Sequence, residues 1–343
     1  NPYVSVTLPR HLSGGKAIHA NLFIHRLRRT SLILAIGGVT VWTSACSRHR
    51  SLHVDALGAP LGLAVCYGPF REGQAPDGAQ PTRDHIRTDL LLLSRDFNTL
   101  RTYSSLGPTR DILEVARDEE ISLRVLLGVW IAPETRRDDG DPPADVLEEH
   151  ARANAREVDA AIALASEFPD LVAAIIVGNE TQVSWSAHRV DREVLIGHIR
   201  RARGSTSVPV TTADDFSFWL DPASDAVARE VDIIITHAYA MWNGMRLDEA
   251  IAFTDEKMHA VREAHPDHTV VLGETGWATQ KHTEGDQGRL IRGIPGAGPQ
   301  GVFLRDIRRW AARTRTITFF FEAFDEPWKG GDHPDEVEKH WGL

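Results

Sequence analysis

The chain has 343 residues, of which 42% are hydrophobic and 25% charged; these are the proportions of a folded globular protein and exclude collagen, coiled coil and wholesale disorder. Its formal net charge of −10 argues against a nucleic acid or other polyanion as partner. Two cysteines, Cys46 and Cys66, exclude a disulfide scaffold and a multi-cysteine zinc site, while nine tryptophans leave room for sugar-stacking surfaces.

Charge is unevenly placed along the chain. No acidic residue precedes Asp55, whereas Arg10, Lys16, Arg26, Arg28 and Arg29 are basic. An uncharged stretch from Thr30 to Ser47 follows, centred on the apolar run Ser31–Val39. A basic stretch, a short apolar run and then small residues form the pattern of an export signal. The run is shorter than the roughly 20 residues of a spanning helix. Thr43-Ser44-Ala45-Cys46 resembles a bacterial lipobox, with Thr43 standing where an aliphatic residue is usual, and Arg28-Arg29 also allows a twin-arginine reading. Residues 1–57 are therefore read as an export signal and linker. They imply a periplasmic, envelope or extracellular location, with membrane attachment through this segment or through a lipidated Cys46. Residues 58–343 are read as the folded domain.

In chain order, the strand candidates are Leu61–Tyr67, Thr99–Tyr103, Leu123–Trp130, Val172–Val177, Val208–Thr212, Val231–Ala238, Thr269–Gly273 and Ile317–Phe321. Most are continuously apolar, as parallel strands buried on both faces should be. Helical spacing appears between them, in Ile86, Leu90, Leu93 and Phe97, in Ile112, Val115 and Ala116, and again over 146–164, 194–201, 247–261 and 302–310. The fifth helix, around Ala223–Glu230, looks short, and Pro108, Pro143 and Pro222 stand near helix starts. Eight strand–helix units of this spacing predict an α/β protein, a single-domain (β/α)₈ TIM barrel, over an open doubly wound sheet.

Such a barrel gathers its chemistry at the C-terminal ends of its strands. There the sequence places Tyr67, Arg101, Tyr103, Asn179, Glu180, Asp214, His237, Tyr239, Trp242, Glu274, Trp277, Glu322, Glu326, Trp328 and Lys329. Glu180 and Glu274 stand out because each ends a strongly apolar run, and their 94-residue separation puts them on strands four and seven. Carboxyls converging from these strands to about 5–5.5 Å suit retaining glycoside hydrolysis, one as nucleophile and one as acid/base. The competing reading, a Glu that caps the next helix or pairs with a surface arginine, loses ground once two such residues share this spacing.

Val177-Gly178-Asn179-Glu180 and Gly273-Glu274-Thr275-Gly276-Trp277 resemble the two catalytic signatures of glycoside hydrolase family 17, the β-1,3-glucanase family of (β/α)₈ barrels. The resemblance continues through Cys66-Tyr67-Gly68-Pro69, Arg101-Thr102-Tyr103-Ser104, Leu127-Gly128-Val129-Trp130, Val231-Asp232-Ile233, His237-Ala238-Tyr239 and Phe321-Glu322-Ala323-Phe324-Asp325-Glu326-Pro327-Trp328-Lys329. It implies that Glu180 is the acid/base and Glu274 the nucleophile, and that Asn179 hydrogen-bonds the sugar 2-hydroxyl. It also implies that Tyr239 donates to the nucleophile and that Glu322 and Lys329 form a polar rim. Tyr67, Arg101, Tyr103 and His237 complete the substrate-binding set, with Trp242, Trp277 and Trp328 as stacking rings. Lys329 could equally be a solvated lysine, and the tryptophans could be buried for their area alone. The segment from Ala240 to Thr269 is compact, as in short microbial members, which leaves hydrolysis and transfer of glucan both open.

Gly296-Ala297-Gly298-Pro299-Gln300-Gly301 matches G-x-G-x-x-G but follows a loop and is interrupted by Pro299, so it is set aside. Sixteen histidines show no metal-ligand spacing; no metal or cofactor is expected. The expected partner is a β-glucan polysaccharide or oligosaccharide, and the oligomeric state is left open.

Overall fold

The computed structural model describes His49, Arg50, Leu52, residues 63–136 and residues 142–343. The export-signal and lipobox readings, Cys46 included, lie outside the described residues. Among the described residues no helix is long and apolar enough to cross a membrane.

Eight strands form where the apolar runs predict them: β1 (Leu63–Cys66), β2 (Thr99–Arg101), β3 (Arg124–Val129), β4 (Val172–Asn179), β5 (Val210–Asp215), β6 (Ile234–His237), β7 (Val270–Thr275) and β8 (Thr318–Phe320). Each pairs in parallel with the next, and β8 pairs with β1, so the sheet closes and the open-sheet alternative is excluded. Nearly every strand residue is buried because helices cover the outer face. Val65, Val125, Leu126, Ile175, Ile235 and Leu272 are fully buried, each worth about 1.5–3 kcal/mol relative to exposure.

The helices are α1 (Arg83–Leu93), α2 (Thr109–Asp118), α3 (Ala144–Glu167), α4 (Arg192–Ser205), α5 (Phe216–Trp219), α6 (Asp225–Ala228), α7 (Ala250–Ala264), α8 (Gly285–Leu290) and α9 (Ala297–Thr314). Ile86, Leu90 and Leu93 form the buried stripe of α1, whose start is capped by Thr82 accepting from the His85 N–H. Pro108 and Pro143 sit at the N-caps of α2 and α3. The short fifth helix is split into α5 and α6 around a 3-10 turn at Pro222–Ser224.

Every strand boundary shifts by a few residues or less, and two of the shifts have a polar cause. The run beginning at Val231 enters the ladder only at Ile234, because buried Asp232 turns its carboxylate to the Val210 N–H and the Arg203 guanidinium. β5 runs on to Asp215, whose side chain accepts from the Ser217 N–H and so caps α5. On the opposite, N-terminal face of the barrel, Arg50 donates to the carbonyls of Val208 and Arg203, and its N–H to Asp232.

Gly128 lets β2 and β3 approach closely at the mouth. A Cβ there would lie 2.3 Å from the Thr102 carbonyl oxygen and 2.5 Å from the Tyr103 Cα. Gly128→Ala is expected to destabilise the fold by about 1–3 kcal/mol through overpacking, read as a lowered thermal midpoint; an unchanged midpoint would refute the close approach.

Candidate active site

The end of β4 turns sharply. Gly178 has φ 80° and Glu180 φ 49°, both in the left-handed region, so the strand stops and the Glu180 side chain is thrown over the barrel mouth. The His188 ring donates from Nε2 to the Asn179 carbonyl at 2.8 Å. Burial holds this imidazole below its usual pKa and therefore neutral. From across the mouth, β7 presents Glu274, which is 4% exposed. Carboxylate oxygens of Glu180 and Glu274 lie within 4.8 Å of one another.

The two carboxyls have unlike surroundings. Glu274 Oε1 accepts from Arg101 Nη1 at 2.8 Å and from the Tyr103 hydroxyl at 2.9 Å, and Oε2 accepts from the Tyr239 hydroxyl at 2.7 Å. Burial alone would push Glu274 up. The Arg101 guanidinium, with the two tyrosine hydroxyls, outweighs it and holds the carboxyl below its usual range. Glu180 is more open, its side chain 25% exposed, and among the described residues its carboxyl has one hydrogen bond, from His237 at 2.8 Å.

His237 is buried between the two acids. Its Nε2 lies 2.9 Å from Arg101 Nη1, and a guanidinium can only donate, so Nε2 carries the lone pair and Nδ1–H donates to Glu180. Glu180, His237 and Glu274 cluster tightly enough to suggest a cation site. They do not fit one, because the Arg101 charge stands among them and both His237 nitrogens are engaged. Arg101 also donates to Asn179 Oδ1 at 2.5 Å. That bond fixes the Asn179 amide, leaving its NH₂ without a protein partner among the described residues.

A cleft of about 970 Å³ opens above, from Phe70 and Leu106 after β1 and β2 to Trp242 and Leu290 after β6 and β7. Among the expected site residues, Tyr67, Tyr103, Asn179, Glu180, Tyr239, Trp242, Glu274, Trp328 and Lys329 line it. The Tyr67 hydroxyl is pinned to Asp89 at 3.0 Å, so only its ring serves the cleft. Trp242 donates from Nε1 to Glu338, and Trp328 to Glu326, both at 3.2 Å. Lys329 is no solvated lysine: its ammonium lies 2.6 Å from Glu322 and 2.5 Å from Glu326, over the Phe321 ring.

Four expectations need correction. Trp277 is not a stacking ring; it is fully buried against Phe303, with its N–H on the Ile294 carbonyl. Glu322 is not a rim residue but is buried behind Lys329, where loss of water pushes its carboxyl well up against the pull of that lysine. Arg101 and His237 lie beneath the cleft wall and act through the two glutamates and Asn179.

The reading of strand ends missed Trp130, Trp185, Asp215, Phe216 and Glu338, which also line the cleft. Trp130 directly follows β3 and was findable by the same rule. Glu338 was not, since it sits in a C-terminal 3-10 turn, Val337–Lys339, rather than after a strand. Burial pushes Glu338 up to about 7, with Lys329 pulling down and the charge of Glu180 adding to the rise.

Residues 64–342 match the BtgE/BtgC glycoside hydrolase domain. A glucan 1,3-beta-glucosidase of Arthroderma benhamiae is 29% identical over 285 residues, 78% of this chain and 83% of that protein. An endo-laminarinase from Formosa Hel1_33_131 superposes with a TM-score of 0.71 at 26% identity, covering 84% of each chain. A glycoside hydrolase family 17 beta-1,3-glucanosyltransferase from Rhizomucor miehei gives 0.63 at 21% identity, over 82% of this chain and 92% of its own, a likeness of fold. The family 17 resemblance is thus upheld, and the chain belongs to the BtgE/BtgC glycoside hydrolase family.

Proposed function

We propose that the chain acts on β-1,3-linked glucans by double displacement with retention of configuration. One observation carries this reading: two carboxyls within 4.8 Å, one ionised by three donors and the other open to the cleft. This close approach of one oxygen from each suits the retaining reaction, whose carboxyls stand about 5–5.5 Å apart. Glu274 attacks the anomeric carbon as Glu180 gives its proton to the glycosidic oxygen. The leaving sugar departs, and a glucosyl ester forms on Glu274. Glu180 then takes a proton from the incoming hydroxyl, whose oxygen attacks the anomeric carbon and frees the Glu274 carboxylate. In this reading the Asn179 NH₂ bonds the sugar 2-hydroxyl, and the rings of Trp242 and Trp328 stack on sugar faces.

A second reading, transfer of glucan to another sugar, is favoured by the cleft, whose volume lies at the upper end for ligand sites and leaves room for an acceptor sugar beside the donor. Incubation with laminaripentaose and measurement of product lengths separates the outcomes. Shorter products alone mean hydrolysis and longer ones mean transfer; unchanged substrate would refute turnover and leave a glucan-binding barrel. The leader pattern supports work outside the cytoplasm. A diacylglyceryl group on Cys46, sought by mass spectrometry and absent from Cys46→Ser, tests the anchor.

Glu274→Ala is expected to have no measurable turnover. With azide and a dinitrophenyl β-laminaribioside it should yield the α-configured glycosyl azide; a β-configured product would instead make Glu274 the acid/base.

Because Glu274 is held below its usual range, the enzyme should keep its nucleophile ionised as pH falls past the ordinary glutamate value of about 4.3. Tyr239→Phe removes the donor to Oε2, so the acid limb of the kcat/KM profile should move to higher pH. The value at the optimum should fall about 10- to 100-fold. An unmoved acid limb would show that Tyr239 does not stabilise the charged form.

A further inference from the structure

Resting on the reading of Glu180 as acid/base, we propose that Asp214 is its positioning residue, a buried carboxyl that ties the turn carrying Glu180 to β5 by accepting one backbone N–H from each. The turn needs such support. A non-glycine residue in the left-handed region costs about 1–3 kcal/mol and persists only where its surroundings hold it; Glu180 is there, two residues after Gly178. The β4–β5 ladder gives way at the same place. Ile175 and Ile176 pair with Val210 and Thr211, but the register then slips, so that Asn179 meets Ala213.

Asp214 takes over where the ladder fails. Its Oδ2 accepts from the Gln182 N–H at 2.8 Å and its Oδ1 from the Asp215 N–H at 2.9 Å. Beside it, the Glu180 N–H donates to the Ala213 carbonyl at 2.8 Å. Asp214 is fully buried and absent from the cleft wall, so it has no part in touching substrate. Burial, with the charge of Glu180 adding to it, pushes the Asp214 carboxyl well up. Glu274 is held separately, from β2 and the loop after β6, through Arg101, Tyr103 and Tyr239. Loss of the clamp should therefore impair proton transfer and spare nucleophilic attack.

Asp214→Asn sets an NH₂ group against one of the two N–H donors. Its kcat/KM for laminaripentaose should fall about 10- to 100-fold, the usual penalty for a misplaced catalytic group. For dinitrophenyl β-laminaribioside, whose leaving group departs without a proton, the change should stay within about threefold. Azide should raise kcat and give the β-configured glycosyl azide. Asp214→Ser keeps one acceptor in a smaller side chain and should fall between. An equal loss on both substrates with no azide response would make Asp214 a support of the fold alone, and no loss on either would also overturn the proposal. If neither variant folds, amide exchange on the unmodified protein decides: Gln182 and Asp215 N–H groups exchanging as fast as exposed loop amides would sink the clamp, while slow exchange supports it. Turnover by the unmodified protein keeps the two readings apart. Its absence refutes the acid/base assignment, whereas normal turnover with an unselective Asp214→Asn refutes only the clamp.

Discussion

A guanidinium stripped of water must find acceptors, and buried Arg101 finds them in the Gly273 carbonyl, Glu274, Asn179 and the bare nitrogen of His237. Each of these contacts constrains a different part of the site. The ion pair keeps Glu274 charged, the bond to Asn179 decides which way its amide faces, and the contact with His237 decides which ring nitrogen holds the proton. That proton then reaches Glu180. One positive charge on β2 thus orders groups on β4, β6 and β7. Removing a partner from a buried ion pair costs about 3–5 kcal/mol, so the arrangement resists piecemeal change.

The barrel makes the two acids unequal by giving them different neighbours. Glu274 is enclosed by three donors anchored at β2 and after β6, which suits a group that must be an anion before the substrate arrives. Glu180 sits on a strained turn at the cleft edge, its carboxyl joined to one imidazole and otherwise open, which suits a group that must exchange a proton with the substrate twice in each cycle. Aromatic rings around them are disciplined in the same way. An indole N–H tied to a carboxylate, as in Trp242–Glu338 and Trp328–Glu326, stops the ring from turning and keeps its face in place.

What could be read from the chain follows from what the strand period encodes. Continuous apolar runs specify buried parallel strands, and the residues just beyond them, Glu180 and Glu274 above all, land where the barrel puts its chemistry. The same rule has no means of telling which way a strand-end side chain leans, so Trp277 was expected in the cleft although its ring packs outward against α9. Nor does it distinguish touching the substrate from holding another residue, which is how Arg101, His237 and Glu322 were misjudged. Glu338 and Trp185 arrive on a terminal turn and on a loop, where position depends on long-range packing. Glu338 is delivered by a tail pinned through Gln287 to Glu336 and Val337 and through Trp341 to Tyr239 and Phe321, none of which leaves a local periodicity.

The balance between hydrolysis and transfer also has a physical handle. In the proposed mechanism both routes pass through the same ester on Glu274 and differ only in which hydroxyl Glu180 activates. Trp130, Trp185 and Phe216 follow β3, β4 and β5, the strands flanking and carrying Glu180, and they line the cleft there. A sugar stacked on such faces presents its hydroxyl at an effective concentration that can reach about 10⁵ M or more when well oriented. Water enters without orientation and gains nothing from an aromatic wall. The same pair of carboxyls would therefore transfer when these rings are occupied by a second glucan chain and hydrolyse when they are not, so that the outcome is governed by acceptor occupancy rather than by any change at the carboxyls themselves.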